Sequence, residues 1–176
     1  MKKHPLLLWI LYSSVLCFLF GTLFHFLYQW FPSLIFQVLF PINESIWEHM
    51  KLCFYPVILL WLLPQHKIPF FASLTWSKEQ RINGMTISAV ISMLITFFGY
   101  YGLRYGFAIE SLPTDLLLYF FSLVLGQYHG VLITKSKRAA EYSQCAIYIL
   151  IIIAVLFMLF SLSPLALPAF ISPVTH

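Results

Sequence analysis

The densest group of chemistry-bearing side chains in this chain is the nine-residue stretch Asn43-Glu44-Ser45-Ile46-Trp47-Glu48-His49-Met50-Lys51, in which six residues are polar or ionisable. Two carboxylates one helical turn apart can hold a cation or share a proton, the imidazole adds a nitrogen ligand or a base, and the ammonium can neutralise one carboxylate. On a helix that begins at Glu44, the residues Glu44, Glu48 and Lys51 fall at i, i+4 and i+7 and share one face. His49 is then rotated by about 100° from Glu48. One negative charge is left over, and the helix N-terminal dipole, Arg104 or a bound cation would compensate it.

Addition of His25, which falls at the same depth near the end of the first apolar run, gives a His25, Glu44, Glu48 set of nitrogen and oxygen donors of the kind that a divalent metal such as zinc accepts. Glu48 and His49 are the candidate catalytic groups, either of them a base for a metal-activated water. Asn43, Glu44, Glu48, His49, Lys51 and Arg104 are the candidate ligand-binding residues, with Tyr100, Tyr101 and Asp115 at comparable depth. A plainer reading makes Ser45-x-x-Glu48 a capping box, Asn43 an alternative cap, Lys51 a snorkelling side chain and Trp47 a headgroup anchor. Quantity speaks against it, because a cap needs one or two polar residues. No His-Glu-x-x-His, Gly-x-Ser-x-Gly or Gly-rich phosphate loop is present. The three cysteines, Cys17, Cys53 and Cys145, lack metal-ligand spacing and read as buried structural thiols.

The elements that must carry these residues are membrane helices. Of the 176 residues 61% are hydrophobic and only 9% charged, with a mean hydropathy of +0.87, whereas a soluble domain needs about 25% charged residues to solvate its surface. The net charge of +4 lies in loops and not in a basic stripe, which excludes a nucleic-acid partner and leaves the lipid bilayer as the main one. Four uncharged blocks, His4 to Asn43, Ile82 to Leu103, Leu116 to Thr134 and Tyr142 to His176, are each long enough for a span of about 20 residues. A fifth, Leu52 to His66, has 15 residues and covers only about 22 Å. Its helix must borrow its outer end from the charged stretch, which puts Glu48 and His49 about 6 to 8 Å and Lys51 about 10 Å below the outer surface.

The expected fold is therefore an all-α, five-span integral membrane bundle forming a single domain over residues 1–176, with spans near 5–29, 44–63, 84–104, 114–134 and 143–163. Long continuous apolar runs exclude a β-barrel. Eight Lys and Arg residues (Lys2, Lys3, Lys67, Lys78, Arg81, Lys135, Lys137 and Arg138) fall on one side and Arg104 alone on the other, so the N-terminus is expected inside and the C-terminus outside. The first apolar stretch is about twice the length of a signal-peptide core, so it reads as a retained helix. Phe31, Leu34, Ile35, Val38 and Leu39 recur at helical spacing between Pro32 and Pro41, which predicts a short interfacial helix between spans one and two. Trp30, Trp47, Trp61 and Trp76 fall near helix ends, as in an aromatic belt, and Pro164, Pro168 and Pro173 predict an extended outer tail over 164–176. Gly126 and Gly130 form a small-x-x-x-small pair for close helix packing, with Gln127 and His129 beside it.

The string from Pro41 to Leu52 resembles the signature of a family of small, uncharacterised bacterial multi-span membrane proteins, classed under a domain of unknown function, in which Pro-x-Asn-Glu-Ser-x-Trp-Glu-His-x-Lys-Leu opens the second helix. His25, the Gly126-Gln127-Tyr128-His129 group and the Pro168-to-Thr175 tail are similar to that family too, although Ser172 stands where an acidic residue is expected. The resemblance implies a bacterial cytoplasmic-membrane protein and supplies no reaction. Three functions fit these readings. One is a membrane protein whose outer cluster binds a cation, a proton or a small polar ligand. The second is a membrane-embedded metal-dependent hydrolase or transferase acting on a lipid-linked substrate. The third is a scaffold or partner subunit. Five spans are few for a monomeric transporter, which points to a homo-oligomer or a membrane partner protein.

Overall fold

Apolar runs become helices because a helix satisfies its own backbone polar groups. In the computed structural model, which describes residues 5–68, 71–136 and 141–172, they form α1 (Pro5–Trp30), α2 (Leu34–Leu39), α3 (Ile46–Leu62), α4 (Lys78–Tyr101), α5 (Leu112–Thr134) and α6 (Ser143–Leu162). No strand occurs among the described residues. Four helices, Pro5–Trp30, Lys78–Gly106, Leu112–Thr134 and Ser143–Leu162, are long and apolar enough to cross a membrane. The short helix expected between the first two spans is α2. Four of the charges used to orient the spans (Lys2, Lys3, Lys137 and Arg138) and the tail beyond Ser172 lie outside the described residues.

The second long helix begins later than the charge pattern predicts, at Ile46 and not at Glu44, and the reason is local. Asn43 Oδ1 accepts from Ser45 N at 2.9 Å, and Ser45 Oγ accepts from Glu48 N at 3.3 Å, so Ser45 is the N-cap and Glu44 precedes the helix. The shared face proposed for Glu44, Glu48 and Lys51 therefore does not form, since Glu44 has no helical register.

α3 runs antiparallel to α1. Trp61, near its C-terminus, meets Trp9 edge-on at 6.3 Å, while His49 near its N-terminus meets His25 at 5.2 Å. α4 packs against α3, α5 and α6. Pro56 lies inside α3 and has no N–H to give to Leu52 O four residues back. Tyr119 of α5 repairs the gap: its hydroxyl donates to Leu52 O at 3.0 Å and lies near Cys17 O of α1 at 3.3 Å. Only a glycine leaves room for that hydroxyl on α1, because a Cβ at Gly21 would collide with Tyr119 Oη.

The glycine pair of α5 does what its spacing predicts. A Cβ on Gly126 would meet Ser88 O of α4 at 2.5 Å, and one on Gly130 would meet Gly84 O at 2.6 Å, so the two backbones touch along Gly84, Ser88 and Ser92. Gln127 is fully buried and its Oε1 accepts from Trp61 Nε1 at 2.9 Å. His129 is exposed and bonds only its own helix, at Leu125 O.

Two expectations are corrected here. The tryptophans are not all belt anchors: Trp61 stacks on Trp76 at 5.1 Å and both touch Trp9, while Trp47 packs against Phe157, Phe160 and Phe170. Tertiary contact competes with the headgroups for these rings, and only Trp30 remains more than half exposed. The tail is not wholly extended either, since Pro168–Phe170 makes a 3-10 turn whose Phe170 ring seats on Trp47 at 4.8 Å. Cys17 and Cys53 are buried, whereas Cys145 faces outward from α6.

Candidate metal centre

The C-terminal end of α1, the α2–α3 connection, the start of α3 and the end of α6 meet at one end of the bundle. There the ionisable residues of the stretch separate into two groups, Glu44 and His49 joining His25 of α1 while Glu48 and Lys51 turn toward α6 and the end of α2.

The first group is His25, Glu44 and His49. Their ligand atoms all lie within 4.8 Å of one another. Glu44 Oε1 is 3.6 Å from His25 Nε2, and Glu44 Oε2 is 3.4 Å from His49 Nε2. The edge of a zinc tetrahedron with bonds near 2.0 Å is about 3.3 Å, so the two separations from Glu44 are close to those of ligands around one ion. His49 Nδ1 is 2.9 Å from Ser45 O. That carbonyl can only accept, so Nδ1 carries a proton, and in a neutral ring Nε2 is left with a lone pair aimed at the carboxylate. Two acceptors facing each other at 3.4 Å require a proton or a cation between them. A histidine whose second nitrogen bonds a backbone carbonyl is also the usual arrangement of a metal ligand. Glu44 is more than half exposed, at 58%, so one side of the group faces outward. With both imidazoles protonated and no ion present, the hydrogen bond with His49, and then the charge of the two rings, hold the Glu44 carboxyl below its usual range against the opposing effect of its partial burial.

Glu48 and Lys51 form the second group, and both are sealed, at 2% and 1% exposure. Glu48 Oε2 accepts from Lys51 Nζ at 2.7 Å and from Ile42 N at 3.2 Å, and Oε1 accepts from Ser161 Oγ of α6 at 2.9 Å. The two other ammonium protons of Lys51 go to Gln37 O at 3.0 Å and Phe40 O at 3.1 Å, carbonyls at the C-terminal end of α2 that no further turn of helix uses. Gln37 Nε2 adds a bond to Ser161 O at 3.0 Å.

Of the sequence-predicted metal set, the structure thus brings His25 and Glu44 together and adds His49, while Glu48 points away from them toward α6. Asn43 turns inward on Ser45 N. Arg104 belongs to neither group: it lies 3.7 Å from Glu110 and 3.6 Å from Asp115, with its guanidinium 4.5 Å above the Tyr100 ring. Sequence reasoning missed Ser161, Gln37 and the Ile42 amide, which are distant in the chain or belong to the backbone. The replacement of Glu48 by His49 did have a signal, the Ser45-x-x-Glu48 pattern: its reciprocal box does not form, since Ser45 N goes to Asn43 and the Glu48 carboxylate to Ile42 N, but the cap at Ser45 does, and it removes Glu44 from the helical register.

The chain belongs to a family of unknown function, DUF6512, whose model matches residues 2–176. An uncharacterised family is what the resemblance of the Pro41-to-Leu52 string implied. No curated protein and no solved structure matches the chain.

Proposed function

We propose that this protein is a five-span protein of the bacterial cytoplasmic membrane that binds a zinc-class divalent cation through His25, Glu44 and His49 at the outer end of the bundle. The observation that carries this reading is the convergence of three ligand atoms within 4.8 Å from three separate positions, the end of α1, the connection and the start of α3. Two imidazole nitrogens and one carboxylate suit zinc better than magnesium or calcium, which prefer oxygen ligands throughout. The reading of α3 as a fifth span is supported by its antiparallel contacts with α1, Trp61 against Trp9 near one end and His49 against His25 near the other.

Metal analysis of protein purified in mild detergent without chelators tests the reading. Roughly one zinc-class ion per chain is expected, with loss of the ion in a His25→Ala, His49→Ala variant. A protein that takes up no stoichiometric zinc even after equilibration with the free ion overturns it.

The outward face of Glu44 favours a second reading, a membrane-embedded hydrolase or transferase in which an open metal position meets a lipid-linked substrate. Its base would be a group other than Glu48, whose oxygens already accept from three donors. A lipid product that forms only with the metal-loaded protein supports this reading, and turnover unchanged by the His25→Ala, His49→Ala substitutions rules it out.

A further inference from the structure

The Glu44 carboxylate is the most exposed of the three ligands and, among the described residues, meets only the side chains of the two histidines, so its position depends on the backbone that carries it. That backbone, residues 40–45, is fastened at successive points. Phe40 O accepts from Lys51, Ile42 N donates to Glu48, Glu44 N donates to Ser172 Oγ of the tail at 3.2 Å, and Ser45 N donates to Asn43. The strongest two fastenings come from one buried ion pair, whose Glu48 is bonded in turn to Ser161 of α6. A buried ion pair gives little net stability over an apolar pair of similar volume. Its consequence here is geometric.

We infer that Glu48 and Lys51, braced by Ser161, are positioning residues for the metal centre: they fix the connection between α2 and α3 so that Glu44 is already in place between His25 and His49 when the ion arrives. The inference rests on the metal reading above. The frame and the ligands interleave along one helix, with Glu48 facing α6, His49 facing α1, and Lys51 closing the end of α2. Groups that support a ligand without touching the metal commonly alter affinity by 10- to 100-fold, and preorganisation of a ligand loop acts in the same direction.

The test titrates the full-length protein in detergent with Co(II), whose visible spectrum reports the ligand set. Four proteins are compared: wild type, Glu44→Gln, Glu48→Gln with Lys51→Met, and the triple combination. The double variant leaves no unpaired charge, which favours its folding. Expected is a fall in Co(II) affinity of about 10- to 100-fold in the double variant, together with non-additivity: Glu44→Gln weakens the wild type but changes the double variant by less than about twofold. A folded double variant that keeps wild-type affinity, or a Glu44→Gln effect equal in both backgrounds, overturns the inference while the metal reading stands. Failure of the wild type to bind Co(II) or zinc overturns both. Should the double variant not fold, Ser161→Ala replaces it. Loss of that one charge-assisted bond is expected to weaken Co(II) binding about fivefold without loss of helicity, and unchanged affinity counts against the inference.

Discussion

Lys51 spends all three ammonium protons on Gln37 O, Phe40 O and Glu48, and it does so at 1% exposure. Removing either charge of such a pair strands the other in a place without water. Lys51→Met and Glu48→Gln are therefore each expected to cost about 3–5 kcal/mol, whereas the two together cost less than either alone. Unfolding of the four proteins in mixed micelles measures this, and strictly additive losses would show that the two side chains act separately. At this scale the sequence was half legible. The pairing of Lys51 with Glu48 and the cap at Ser45 follow from spacing alone. The choice of His49 over Glu48 as the neighbour of Glu44 depends on whether Glu44 lies inside or outside the helix, and a difference of two residues in one helix start decided it. Ser161 and the Gln37 and Phe40 carbonyls carry no local signal, because they are brought in by packing from elsewhere in the chain.

Helices α4 and α5 touch backbone to backbone, and their glycines are not equivalent. A methyl group at Gly130 would press on Gly84 O, 2.6 Å away, and on Ser88, while one at Gly102, in the π-helical turn Gly102–Gly106 that continues α4, would meet nothing within 4 Å. Gly130→Ala is expected to cost about 1–3 kcal/mol through overpacking. Gly102→Ala is expected to be neutral or to gain up to about 1 kcal/mol from helix propensity. Equal effects at the two sites in the same unfolding assay would contradict the close contact. The pair was visible as a small-x-x-x-small motif, although the motif does not say which helix it meets. Less visible was the repair of α3 at Pro56. The proline announces a missing N–H, but the donor that replaces it, Tyr119, lies on another helix, and nothing in its own neighbourhood marks it. Tyr119→Phe removes that donor from Leu52 O and is expected to cost about 1–2 kcal/mol. A loss below about 0.3 kcal/mol would mean that the freed carbonyl is satisfied in another way.

For the molecule as a whole, composition and the long apolar blocks made an all-helical membrane protein legible, whereas α3 was the uncertain crossing because its 17 residues include Glu48 and Lys51. In the structure both ends of this helix find partners. At one end the pair Glu48–Lys51 is neutralised internally, and at the other Arg81 of α4 donates to Trp61 O, Leu62 O and Leu63 O at 2.8, 2.6 and 3.1 Å, taking the carbonyls that the last turn leaves free. Both helix ends thereby have polar groups satisfied by side chains. If α3 crosses, residues 64–68, 71–77, 135–136 and 141–142 lie on one side, and His25, Glu44 and His49, the connection after α4 and residues 163–172 lie on the other. The excess of Lys and Arg then predicts the cytoplasm for the first side. Labelling of single cysteines by a membrane-impermeant reagent in intact cells, in a background lacking the native three, is expected to modify positions 43 and 109 but not 73. Modification of 43 and 73 without 109, or of 109 alone, would show that α3 does not cross, and modification of 73 alone would reverse the orientation. The same arrangement predicts that an impermeant chelator added outside intact cells strips the metal, because Glu44 opens to that side. Retention of the metal until the membrane is permeabilised would put the centre on the opposite face.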